Sequence, residues 1–280
     1  MTDQCTTNLQ DFADWAEGEK HSRMDTDTDK PPDHSSSGHN IDDLDIENQI
    51  QEAINAGNVS LVQDWTRRAA SLPDGRERIT KAFLSSAYEA PDTSLSAMWD
   101  TGLVDIRQPD DINQRTILHK ATISGREGLL QLGLSGGADV RAKDVYLRMP
   151  LHYGCMHGHN TMVQSLLAAA PDTVDVKDVD NFTPLVHAVV HSRLECAHTL
   201  LEFGAQINPQ GNNDHIPLNL ACQYASLAVV DLLLKRKPQI LPDAEGLYPQ
   251  HLVARSARDP QLLHLLRQYG ADLDLSLIHI

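Results

Sequence analysis

Residues 181–207 read NFTPLVHAVVHSRLECAHTLLEFGAQI. Thr183 stands directly before Pro184, an order that suits the start of a helix. A threonine hydroxyl accepts from amides that the first turn leaves unbonded, and proline at the first helical position lacks an N–H that would have no partner there. Beyond a turn at Ser192, Ala197, Leu200 and Leu201 follow at i, i+3 and i+4, one apolar stripe on a second helix. A single helix pair cannot bury such stripes alone; it needs neighbours built the same way.

Such neighbours flank it. QRTILHKATISGREGLLQLGLSGGADV (114–140) and LRMPLHYGCMHGHNTMVQSLLAAA (147–170) precede it. DHIPLNLACQYASLAVVDLLLKRK (214–237) and LYPQHLVARSARDPQLLHLLRQYGADL (247–273) follow. The turn positions Gly125, Gly158, Ser192, Ala225 and Ala257 are spaced 33, 34, 33 and 32 apart. Two more steps back reach Pro91 and Gly57, so seven units run from about 45 to 274, the first two degenerate. Pro150, Pro217 and Pro249 repeat the place of Pro184, while Val163/Leu166/Leu167 and Val230/Leu233/Leu234 repeat the outer stripe. Ala121, Gly154, Ala188 and Ala221 are small, which lets neighbouring inner helices approach. Repeat 143–176 carries an extra residue near Pro171, and the last repeat carries one in ARDPQ.

This period and wording resemble ankyrin repeats over some 230 residues. The resemblance stands on Thr183-Pro184-Leu185, Pro150-Leu151-His152, Pro217-Leu218, Gly137-Ala138-Asp139-Val140 and Gly270-Ala271-Asp272-Leu273. It implies an all-α ankyrin-repeat solenoid, about seven helix–turn–helix units joined by β-hairpin loops, behind a disordered N-terminal arm. Residues 1–40 form that acidic arm, with nine acidic residues against three basic and no apolar periodicity in DTDTDKPPDHSSSGHN. Residues 45–108 hold the degenerate, capping units, with Glu47, Gln49, Gln51 and Glu52 as a polar flank, and 109–274 hold five repeats. In the last unit Leu262, Leu263, Leu265 and Leu266 are expected to face a further repeat. LSLIHI (275–280) fits no repeat position and resembles the translation of a transposase sequencing adaptor, so it is expected to be non-native.

Apolar residues make up 41% of the 280, enough for a core, and aromatics only 5%. A net charge of −16 opposes nucleic-acid binding, which depends on basic surface. The cysteines (Cys5, Cys155, Cys196, Cys222) form no CxxC and suit a reducing compartment. The stretch 149–171 lacks acidic and basic residues but contains prolines, glycines and histidines, which excludes a bilayer span. A cytoplasmic or nuclear protein, monomeric by itself, is expected.

His152, Cys155, His157 and His159 lie within eight residues and invite a metal. Repeat register separates them: His152 and its counterparts His119 and His251 tie a helix start to a hairpin, Cys155 packs inward and His159 closes a turn. Only His157 is left facing outward. Zinc needs converging ligands, so no metal and no cofactor are expected. No G-x-S-x-G, Walker A or H-E-x-x-H motif occurs, and Asp178/Asp180 read as turn residues, so no enzyme is expected. The ankyrin register implies a recognition face instead. On hairpins it comprises Tyr146, Arg148, Asp180, Phe182 and His215; on inner helices His157, His191, Tyr224 and Arg255.

DINQRTILHKATISGRE, DVYLRMPLHYGCMHGH, DHIPLNLACQYASL, LPDAEGLYPQHLVARS and LLRQYGADLD resemble, more narrowly, the ankyrin region of fungal phosphate-response inhibitors of cyclin-dependent kinases. That resemblance implies a scaffold that binds a cyclin–CDK complex and inhibits the kinase under phosphate starvation. Those proteins also carry an SPX domain and a glycerophosphodiesterase-like domain. Neither wording occurs here, so the other reading is the ankyrin fragment of a glycerophosphodiester phosphodiesterase.

Overall fold

The computed structural model describes residues 41–208, 215–256 and 259–271. The arm 1–40 and the tail 275–280 therefore lie outside the described residues. Among the described residues fourteen α-helices follow one another in antiparallel pairs. They are α1 (Ile41–Asn55) and α2 (Val59–Ala69), α3 (Gly75–Ser86) and α4 (Asp92–Trp99), α5 (Ile117–Ser124) and α6 (Glu127–Ser135), α7 (Pro150–His157) and α8 (Asn160–Ala169). The series continues with α9 (Pro184–Val190) and α10 (Leu194–Glu202), α11 (Pro217–Tyr224) and α12 (Leu227–Lys235), and α13 (Pro249–Arg255) and α14 (Pro260–Gln268). From α5 onward inner helices pack on inner helices and outer on outer, from one pair to the next.

Sequence accounts for each pair locally. Pro150, Pro184, Pro217 and Pro249 all open their inner helix, and the Thr183 hydroxyl accepts from Val186 N–H at 3.3 Å. Gly125 and Gly158 end α5 and α7 in the left-handed conformation, with φ of 70° and 82°. Ser192 takes the same turn at φ 55° despite its Cβ. The outer stripes are buried: Val163, Leu166, Leu167, Ala197, Leu200, Val230 and Leu233 have no exposed surface. Burial of each such leucine or valine contributes about 1.5–3 kcal/mol. The extra residue near Pro171 is absorbed by one 3-10 turn, Pro171–Thr173.

Three expectations change. Among the described residues there is no β-strand: each hairpin is reduced to a turn closed by a backbone bond such as Asp144 N–H to Arg148 O, 3.0 Å. The space at Gly154 faces Val163 of its own outer helix, where a Cβ would lie 3.1 Å away, rather than a neighbouring inner helix. In α14, Leu262 and Leu266 turn back into the array and are buried, leaving Leu263 and Leu265 half-exposed.

In three inner helices the third residue ties one unit to the next. His119 Nδ1 accepts from Thr116 N–H (3.1 Å), and its Nε2 bonds the Arg148 carbonyl of the following hairpin (3.0 Å). His152 repeats this with Met149 N–H (3.0 Å) and the Val176 carbonyl (3.0 Å). Both rings must be neutral with the proton on Nε2, since a carbonyl can only accept. Asn219 fills the same slot and donates Nδ2 to the Leu241 carbonyl at 3.2 Å.

Burial pushes His119 down to about 4 and His152 to about 3. Below the ordinary 6.5 the unfolded chain takes up protons that these folded rings refuse. Stability therefore falls as pH drops from 6.5, and their contribution to the loss is complete below about 3. His152→Asn, which copies the Asn219 arrangement, should cost about 1 kcal/mol at neutral pH and shrink the difference in urea midpoint between neutral and mildly acidic solution. An unchanged difference would refute the role of this ring.

Candidate protein-interaction face

One aspartate organises each of four hairpins. Asp144 Oδ1 accepts from the N–H groups of Tyr146 and Arg148, both at 2.9 Å, and closes the turn through Leu147, held at φ 56°. Asp110 does the same for Asn113 and Arg115, Asp178 for Asp180 and Phe182, and Asp243 for Glu245 and Leu247. In three of them the second oxygen is taken by the fourth residue of that unit's inner helix. Lys120 Nζ meets Asp110 Oδ2 at 2.8 Å, Tyr153 Oη donates to Asp144 Oδ2 at 2.6 Å, and His187 Nε2 meets Asp178 Oδ2 at 2.9 Å.

Arginines join successive hairpins. Arg115 Nη2 donates to Tyr153 Oη (2.9 Å), one unit on. Arg148 Nε donates to Asp178 Oδ2 (3.1 Å), and its Nη2 lies 3.5 Å from Asp180 Oδ2. Phe182, in the same register, sets its edge against His215 with ring centres 4.5 Å apart. Burial works to raise the Asp178 carboxyl, but bonds from His187 and Phe182 N–H outweigh it and hold the group at about 2. The carboxylate is thus charged beside a guanidinium that is only 1% exposed. Burial moves His187 down and the Tyr153 phenol up, so both remain neutral partners.

The structure divides the residues assigned to the recognition face. Asp180 is exposed, and so is Arg255, which pairs with Glu245 Oε2 at 2.7 Å. Tyr146 is half-buried with the Arg148 guanidinium 5.3 Å from its ring centre. His157 is half-buried and stacked on His159 at 6.0 Å, not fully outward. His191 lies near it; burial, then the charges of His187, Arg193 and His157, press His191 to about 4. His215 and Tyr224 are half-buried, and burial raises the Tyr224 phenol. Arg148 and Phe182 do not belong on the exposed face. Each closes its hairpin, so its side chain points into the seam with the next unit, where Asp178 or His215 receives it. Among the described residues no group of three or more His, Cys, Asp or Glu converges as metal ligands would.

Other residues occupy the surface in their stead. Ile112 is 85% exposed, Val145 50%, Leu147 47% and Val179 52%, all at hairpin tips. Backbone bonds from Val145 N–H to Asn113 O (3.1 Å) and from Val179 N–H to Tyr146 O (3.0 Å) link these tips into one row. A signal for them exists in the sequence: the pair Asp-Val recurs at 144–145 and 178–179, with Asp-Ile at 111–112.

Phe182→Ala should cost about 3–5 kcal/mol, measured by urea denaturation, because it opens a buried seam. Asp178→Asn should cost about as much by stranding the Arg148 charge, and adding Arg148→Met should recover part of the loss. Strictly additive effects of the two changes would show that the pair is not coupled.

The family model described as ankyrin repeats (3 copies) matches residues 118–211. The ankyrin repeat protein nuc-2 of Neurospora crassa is 47% identical over 287 residues, covering 98% of this chain and 26% of nuc-2. The phosphate system positive regulatory protein PHO81 of Saccharomyces cerevisiae is 30% identical over 167 residues, 48% of this chain and 14% of PHO81. Inversin of Canis lupus familiaris is 30% identical over 165 residues, 58% of this chain and 15% of inversin. The chain thus spans about a quarter or less of the length of these relatives. Paired helices, hairpin aspartates and the matched family agree: this chain is an ankyrin-repeat array, a scaffold for protein–protein interaction.

Proposed function

We propose that this chain is the docking part of a phosphate-signalling regulator that holds a cyclin–CDK complex and restrains its kinase. The observation that carries the reading is the 47% identity to nuc-2 across 98% of the chain, joined by the match to a protein named for the phosphate system. On this reading the array performs no chemistry and works in the cytoplasm or nucleus. Among the described residues no helix is long and apolar enough to cross a membrane. The docking face combines the hairpin tips with Tyr146, Asp180, His157, His191 and Tyr224, groups that remain at least partly open to solvent. Aromatic residues at such positions carry a large share of interface energy.

The tagged 280-residue chain should recover a cyclin and its kinase from a phosphate-starved fungal extract and lower the kinase activity of that pair. Tyr146→Ala with Tyr224→Ala should reduce recovery about tenfold or more with little change in melting temperature. Recovery of neither cyclin nor kinase by the unaltered chain would overturn the proposal.

A further inference from the structure

In the central repeats most cations are committed. Between 109 and 208, Arg115, Lys120, Arg126, Arg141, Arg148 and Arg193 each have a hydrogen-bond or ion-pair partner. Lys143 and Lys177 have none among the described residues, and both are exposed. They stand in the same register, directly before the buried aspartates Asp144 and Asp178. Val145 and Val179 stand directly after those aspartates and are about half exposed. Each tip therefore presents an uncommitted ammonium and an aliphatic side chain together, and the row extends to Ile112.

We infer that this row binds a partner segment in which aliphatic residues are interleaved with aspartate or glutamate. The inference rests on the scaffold reading and adds the chemistry of what is held. The aliphatic row requires an apolar counterpart, since water is released only if both surfaces are covered. The two ammonium groups select the flanking charge: an acidic segment pairs with them, and a basic one is repelled. The exposed carboxylates beside the row are already met, Asp111 by Lys81 and Asp180 by Arg148, which leaves the two lysines as its open charges.

The test is a panel of random dodecapeptides displayed on phage and selected against the full chain. Recovered sequences should combine Leu, Ile or Val with Asp or Glu. Synthetic copies should bind about tenfold more weakly to K143E/K177E and to V145S/V179S, two surface variants to be checked for folding by their melting curves. Copies with the acidic residues changed to lysine should regain binding to K143E/K177E. Selection of basic or purely aromatic sequences, or undiminished binding to both variants, overturns the inference. If the unaltered chain recovers cyclin and kinase and both variants recover them equally, the proposed function stands and this surface is wrong. If the peptides behave as described while no cyclin is recovered, the surface stands and the proposed partner is wrong.

Discussion

A carboxylate sits beneath the hairpin turn of unit after unit, and the array hangs on it. Asp178 is the fullest case: one oxygen holds two backbone amides of its turn, and the other receives His187 from its own inner helix and Arg148 from the unit before. Burying a charge is costly unless its lone pairs are filled and its charge is met. Here four donors do so, one of them a guanidinium, and the result is directional. A hydrophobic seam tolerates sliding, whereas these bonds allow one offset between units.

The same logic explains why neutral histidines recur next to the aspartates. His119 and His152 each receive one backbone amide and bond one carbonyl, two bonds that link a helix start to the next hairpin. A charged ring would lose the accepting nitrogen. Cations also act at the other end of the inner helices. Arg126 Nη1 donates to the Ala87 carbonyl (2.9 Å) and Arg193 Nε to the Met156 carbonyl (3.0 Å), each at the C-terminus of the preceding inner helix. Positive charge there complements the helix dipole and the carbonyls that helix leaves unbonded. The central repeats thus spend most of their cations on internal joints, which is what makes Lys143 and Lys177 conspicuous.

Much of the architecture was legible in the sequence. The period, the helix-opening prolines, the outer stripes and the extra residue at Pro171 all act within one unit, where spacing alone dictates which side chains share a face. The roles of His152 and Cys155 were legible too, since both follow from position on a known helix. The face was only partly legible. Asp180 and Arg255 are exposed as expected, but Arg148 and Phe182 are buried. An arginine at a hairpin end reads as surface; it is buried here because Asp178, thirty residues on, waits in the seam. Ile112, Val145 and Val179 were harder to place, because aliphatic residues are expected to be inside and these are not.

By itself, then, the sequence determined the repeat, its helix-opening prolines, and the inward stripe of the outer helices. Those depend on contacts at short separations along the chain. Tertiary structure alone decided which hairpin residues are joints and which are surface. Hairpin side chains meet partners one repeat away, and the path between them depends on how units stack. One residue of register separates Asp144, buried and bonded, from Lys143 and Val145, open to solvent. Packing converts that alternation into an outward-facing row, because each turn is pinned by its aspartate and cannot rotate.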